Sequence, residues 1–389
     1  MFDKKLVLFM WSLTEINDKR KEVIKRIRTC NNPDEKEKLE LSLASYISLL
    51  DNSGTIRYTK FYNLMDSITK GNFTLLRPSS KLIARGNDIL QEKQDYLDES
   101  YLEFLLQIAR NVSNSNVTVE DNEDIALDRM ELPDEKLIEI SKLFYAGLGD
   151  EEIFKHAKKI LDDPSAINFS DIYVSAYENA GGITFPDFAY GKAYCTTKRG
   201  KTLFDVQANN HEVMHGIDFY MQPKIPSKNY YGFHETSTYA IDYLFIEYLE
   251  ELGIDKEQVQ KLRLRKDEYL VSLANLVTMQ IPNELMRKKG LMYIKKHTTK
   301  DIMEILNPDI VKNLLEIESG VIAFGIYQQM KENRQVGLDN LKKFMKNLID
   351  KDKRPNFENI GLSDEKILEL SKMIGTYSRE HEEERGRSK

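Results

Sequence analysis

The chain has 389 residues, 31% of them charged and 41% hydrophobic, with a net charge of −7 at neutral pH, the balance of a soluble globular protein rich in surface helices. No long basic block provides an electrostatic footprint for nucleic acid, and no apolar run approaches the length of a membrane span. Two cysteines, Cys30 and Cys195, are too few for a disulfide framework and are not spaced as a metal site, which suits a reducing cytosol.

Leu6 to Leu13 is apolar and follows Lys4 and Lys5, but it is short and has no small-residue cleavage pattern after it. It reads as the first turns of a core helix rather than a signal peptide. Helical spacing continues from Lys4 to about Arg28, and Asn31-Asn32-Pro33-Asp34 ends one helix and caps the next. The second runs from Lys36 to Leu50 and is expected to stop at Asp51-Asn52-Ser53-Gly54. Further helices are expected at Tyr58 to Lys70, Ser80 to Leu90 and Asp95 to Asn111, with no catalytic signature among them. The polar stretch Asn111 to Asp124 reads as a connection. The expected division is therefore an N-terminal helical lobe, residues 1–125, and a catalytic region, residues 126–389, with a polar tail from about 377.

Leu132-Pro133-Asp134 opens a helix with proline at its first position. A near copy, Leu362 to Lys372, reflects the same local solution to starting a helix rather than a repeat. Glu151 to Asp162 and Ser170 to Asn179 read as helices. The character then changes. Gly181 to Thr197 is rich in glycine, aromatic and β-branched residues, and Lys198-Arg199-Gly200-Lys201 is a turn signal. Lys192 to Val206 is read as a short β-hairpin beside the helix that follows, either a structural ribbon or an edge for an extended peptide.

That helix, expected from Asn209 to Tyr220 and ended before Pro223 and Pro226, carries His211-Glu212-Val213-Met214-His215. Residues four apart share one helix face, so the two imidazoles can meet one Zn²⁺. Glu212 then stands beside the metal as general base for a water molecule, the H-E-x-x-H arrangement. After a loop, Pro223 to Gly232, a second helix begins near Phe233 and runs to Leu252. A catalytic zinc takes three protein ligands, and Glu235 or His234 can supply the third. From Lys256 to Met373 the pattern is helical, with breaks expected near Pro282, Gly290, Pro308 and Asn333 to Gly337.

The region from about Leu143 to Leu348 resembles the M3 metallopeptidases, and within them the oligoendopeptidase F group. Gly191-Lys192-Ala193-Tyr194-Cys195 is similar to that group's Gly-Lys-x-x-Gly-Ala-Tyr-Cys segment, two residues shorter. Asp205-Val206, Glu235, Ser237-Thr238, Asp242 and the Glu318 to Glu332 segment also match family features. Two features depart from it. Met214 and Asp218 replace a glycine and the last histidine of H-E-x-G-H-x-x-H, and Asp309 to Ile317 lacks the family's His and Tyr cluster.

The resemblance implies a mainly α-helical, two-lobed fold with a small β-hairpin or sheet beside the H-E-x-x-H helix and a deep substrate channel. It implies a cytoplasmic zinc endopeptidase that cuts oligopeptides, with one Zn²⁺ per chain held by His211, His215 and Glu235. Asp242 or Asp205 is placed to hold a ligating imidazole. Tyr230, Tyr231, His297 and Tyr327 are the candidate hydrogen-bond donors to the oxyanion or substrate. The alternatives are a catalytically inactive peptide-binding protein and a peptidase narrowly specific for one dedicated peptide. No nucleic-acid or membrane partner is expected, and the sequence specifies no oligomeric state.

Overall fold

The structure, a computed structural model, describes residues 13–55, 97–114, 132–170, 182–222, 233–347 and 354–374. The expected helices at 58–70 and 80–90, most of the one at 170–179, the connection beyond 114, the loop at 223–232 and the tail from 377 lie outside the described residues. Among the described residues the protein is mainly α-helical with one small sheet. Two compact units are interleaved along the chain. The first comprises Met1–Lys93, Glu131–Lys201 and Ala208–Ile225, and the second Gln94–Met130, Thr202–Gln207 and Pro226–Lys389. Among the described residues no helix is long and apolar enough to cross a membrane.

The first unit begins with a helical hairpin, α1 (Leu13–Thr29) and α2 (Pro33–Thr55). Asn32 Oδ1 accepts from the Asp34 and Glu35 amides at 3.0 and 3.2 Å, so α2 has the expected cap and Pro33 in its first turn. The expected stop at Asp51 to Gly54 is overridden: α2 continues to Thr55. Isolated polar and glycine residues cost a helix only tenths to about 1 kcal/mol each, too little to break it alone.

Helices α4 (Asp134–Gly147) and α5 (Glu151–Leu161) pack together, after α3 (Glu99–Ser113) of the second unit. Asp150 caps α5 by accepting from Glu152 and Ile153. Pro133 stands at the N-cap of α4 and not at its first helical position, a one-residue shift from the expectation.

The sheet has strand order β1-β3-β2, with β1 at Ile167–Ser170, β2 at Gly182–Asp187 and β3 at Lys192–Lys198. The hairpin is therefore formed by 182–198 and not by Lys192 to Val206. Lys192 opens its second strand rather than its first, pairing with Asp187. Leu203 to Val206 belongs to a helix, α6 (Leu203–Met221), six residues longer at its start than expected. The cause is a cap. The Thr202 hydroxyl donates to Asp205 Oδ2 at 3.0 Å, and the Asp205 and Val206 amides donate to the Thr202 carbonyl.

Side chains alternate across the strands. Phe185 and Asp187 on β2 and Tyr194 on β3 turn to one face, where Phe185 stacks on Tyr46 with centroids 5.5 Å apart within the core of the α1–α2 hairpin. Ala193, Cys195 and Thr197 turn to the other face, toward α6. The sheet thus lies between the hairpin and α6.

In the second unit, α7 (Thr236–Glu251) packs on α11 (Pro308–Glu332), whose residues 317–327 are buried without interruption. A helix buried all round is the centre of its layer. Around it stand α3, α8 (Lys256–Lys289), α12 (Arg334–Asn347) and α13 (Asp364–Met373), with the short α9 (Met292–Lys295) and α10 (Thr299–Ile305) against α8. Gly290, Pro308 and Asn333 mark breaks as expected, the last between α11 and α12, but α8 runs through Pro282. Val277, Ile281 and Leu285 bury one face of α8 across the proline, and that burial outweighs the single ladder bond a proline removes.

Candidate metal centre

The rotation of α6 follows from its apolar residues. Val213, Met214 and Ile217 have no exposure, which leaves His211 and His215 partly exposed on another face. Their ring centroids are 4.8 Å apart and their planes cross at 85°. The helix is anchored from two sides. Asn209 Nδ2 donates to Ser141 Oγ at 2.7 Å, and the Tyr145 hydroxyl donates to the Asn210 carbonyl at 2.8 Å. From the sheet, the Ala193 amide donates to the Tyr220 hydroxyl at 3.1 Å. Gly216 permits this approach, since a Cβ there would lie 2.5 Å from Ile160 Cδ1 and 3.4 Å from Cys195 Sγ.

Glu212 is 5% exposed and turned to the sheet. Thr184 Oγ1 lies 2.7 Å from Glu212 Oε2 and 2.8 Å from the Glu212 carbonyl, both within donating distance. Cys195, opposite Thr184 in the antiparallel register, also donates to that carbonyl, Sγ to O at 3.3 Å. Burial, with the Glu212 charge beside it, pushes the Cys195 thiol up to about 12, so it remains a protonated donor near neutrality. Neither Thr184 nor Cys195 follows from the H-E-x-x-H motif. The legible signal was the period-two placement of small residues, Gly182 and Thr184, in a strand facing the motif helix.

His211 and His215 belong to the first unit and Glu235, the expected third ligand, to the second. Glu235 stands at the N-cap position of α7. Its Oε1 is 2.9 Å from His234 Nε2, and its Oε2 accepts from the Thr238 hydroxyl at 3.1 Å. Two imidazoles and one carboxylate are a donor set that zinc takes in catalytic sites, and a ligating carboxylate braced by further hydrogen bonds is usual there. The residues therefore fit Zn²⁺.

Around Glu235 the second unit gathers further polar groups. The Tyr239 and Tyr269 hydroxyls both donate to Glu316 Oε1, at 3.1 and 2.5 Å. Burial, with the Glu316 and Glu235 charges nearby, holds both phenols above their usual range and keeps them protonated. Asp242, 2% exposed, accepts from Lys266 Nζ at 2.8 Å, and Asp205 is engaged with Thr202 in the cap of α6. Tyr327 is fully buried, stacks on Tyr243 and donates its hydroxyl to Glu247. His297 Nδ1 sits 2.9 Å from the Tyr293 carbonyl. Tyr230 and Tyr231 lie outside the described residues. Asp218, where the resembled family has a histidine, is buried and accepts from Gln222 Nε2 at 3.1 Å.

No family model matches the chain, and no curated protein sequence does. Its fold is similar to two solved structures. One is PZ peptidase A, determined with an inhibitor: TM-score 0.52, 12% identity, 94% of this chain and 81% of that one covered. The other is a Bacillus anthracis protein assigned as an oligoendopeptidase F: TM-score 0.50, 12% identity, 94% of this chain and 80% of that one. The likeness establishes the fold.

Proposed function

We propose that the chain is a zinc-dependent endopeptidase acting on oligopeptides. The observation that carries this reading is the pair of imidazoles, His211 and His215, on one face of α6 with ring centroids 4.8 Å apart and the acid of the motif, Glu212, next to the first of them. The fold shared with two structures described as peptidases supports it. Zinc, when bound, supplies Lewis acidity that polarises a carbonyl and favours loss of a proton from water near neutral pH. His211 and His215 contribute imidazole nitrogens, and Glu235, steadied by His234 and Thr238, contributes the carboxylate. Glu212 accepts the proton of the water that attacks the peptide carbonyl and passes it to the leaving amine nitrogen. Both described cysteines are free thiols, in keeping with a reducing cytoplasm.

Peptide capture without turnover is the rival reading, favoured by the absence of His and Tyr from Asp309 to Ile317. Zinc-loaded protein incubated with a mixed peptide library, with products read by mass spectrometry, separates the possibilities. Broad cleavage supports a general oligopeptidase, a single product a dedicated one, and silence the capture reading. Glu212→Gln is expected to retain one zinc per chain and lose hydrolysis by about 10²-fold or more, whereas His211→Ala loses the metal. Full activity in Glu212→Gln would remove Glu212 from the base role.

A further inference from the structure

A general base must be aimed at the water it deprotonates, and a glutamate side chain has three rotatable bonds that its helix alone does not hold. Glu212 is held by something else. The backbone of β2 passes so close that a Cβ built on Gly182 would lie 2.3 Å from Glu212 Cγ and 2.9 Å from both Cδ and Oε1. Gly182 has no left-handed backbone angle to explain it; what its missing side chain provides is space. Two residues on, the Thr184 hydroxyl lies 2.7 Å from Oε2. Its one proton has two acceptors in reach, the carboxylate and the Glu212 carbonyl at 2.8 Å. The carbonyl already receives the Cys195 thiol, and an ionised carboxylate is the stronger acceptor.

From this geometry we infer that β2 is the positioning strand of the base: Thr184 fixes Oε2 of Glu212, and Gly182 leaves the space in which the carboxylate sits. The inference rests on the peptidase reading and adds two residues to it. Neither touches substrate; both act through Glu212. A hydroxyl tether on one carboxylate oxygen sets the last side-chain torsion, and so the direction in which the other oxygen points. Misplacing a reacting group by about 1 Å costs on the order of 10²-fold in rate.

The test uses full-length zinc-loaded protein and the peptide that the wild type cleaves best in the library assay. Thr184→Val keeps the shape and removes the hydroxyl; Thr184→Ser keeps the hydroxyl and removes the methyl; Gly182→Ala fills the space. The expected result is a kcat about 10–100-fold lower for Thr184→Val, with KM, zinc stoichiometry and Tm near wild type, and a return to within about threefold in Thr184→Ser; Gly182→Ala lowers kcat likewise but with a lower Tm, because its Cβ displaces Glu212. A crystal structure of Thr184→Val is expected to show the Glu212 carboxylate turned from its wild-type direction, a readout independent of turnover.

A wild-type kcat in Thr184→Val overturns the inference while leaving the peptidase reading intact. So does a lowered Tm with no rescue by serine, which makes the bond a structural tie between strand and helix. Wild-type protein that holds zinc and cleaves no peptide overturns both.

Discussion

Asp187 is fully buried at the end of β2, yet it accepts from the Tyr46 hydroxyl at 2.6 Å and from Ser42 Oγ at 3.3 Å, with Lys19 Nζ 3.9 Å away. These contacts favour the charged form, but burial outweighs them and raises the carboxyl above its usual value. An acid whose folded pKa lies above its unfolded one contributes stability below the unfolded value, about 4, and loses it as pH rises through the folded one. Asp187→Asn keeps the shape and removes the titration. The stability of wild type relative to this variant is therefore expected to fall as pH is raised from about 4 toward neutrality, measured by urea unfolding of both proteins. A rise over that window would show that the Tyr46, Ser42 and Lys19 contacts dominate. At the same scale, the choice between Glu235 and His234 turns on a 2.9 Å contact: His234 Nε2 faces the Glu235 carboxylate, which makes it a brace for the proposed ligand.

Helices in this chain were legible wherever a cap or a buried stripe announced them, and misjudged where a breaker was read without its neighbours. Asp98, Asp150, Asn307 and Ser363 all cap helices by accepting amide protons, as their residue types suggest. Thr202 and Asp205 carry the same kind of signal for α6, and missing it assigned four helical residues to a strand. β1 was not foreseen, because Ile167-Asn168-Phe169-Ser170 has only four residues and gains its ladder from β3, about thirty positions away. Pro282 is the opposite error. Proline inside a helix costs up to about 3 kcal/mol relative to alanine, and α8 absorbs that cost through its buried face. Pro282→Ala is expected to stabilise the protein by about 1–3 kcal/mol in urea unfolding. A net loss would mean that the ring's own packing exceeds the missing hydrogen bond.

At the scale of the whole molecule, buried polar groups tie distant segments together within a unit. In the second unit, Glu318 on α11 is fully buried and takes the Tyr101 hydroxyl from α3 together with Arg354 Nη2 at 2.8 Å. Arg354 also reaches Asp364 at 2.8 Å, the first residue of α13, and lies over the rings of Tyr101 and Phe104 at 4.6 and 4.4 Å. Burial opposes the Glu318 charge and Arg354 supports it. Removing the guanidinium leaves a buried acid without its counter-charge, so Arg354→Met is expected to cost about 3–5 kcal/mol in chemical denaturation, and the double variant with Glu318→Gln less. Equal losses in both would deny the coupling. What the amino-acid order determined by itself was local: the helical class, most caps, and the four-residue spacing that puts His211 and His215 on one face with Glu212 between. Those rules act over one turn of helix, within reach of neighbours in the chain. The tertiary structure alone decided that Thr184 reaches Glu212 across 28 positions and Tyr101 reaches Glu318 across 217. Such pairs form because burying apolar faces brings distant segments together, and a polar group enclosed in the process must find its partner among whatever arrives beside it.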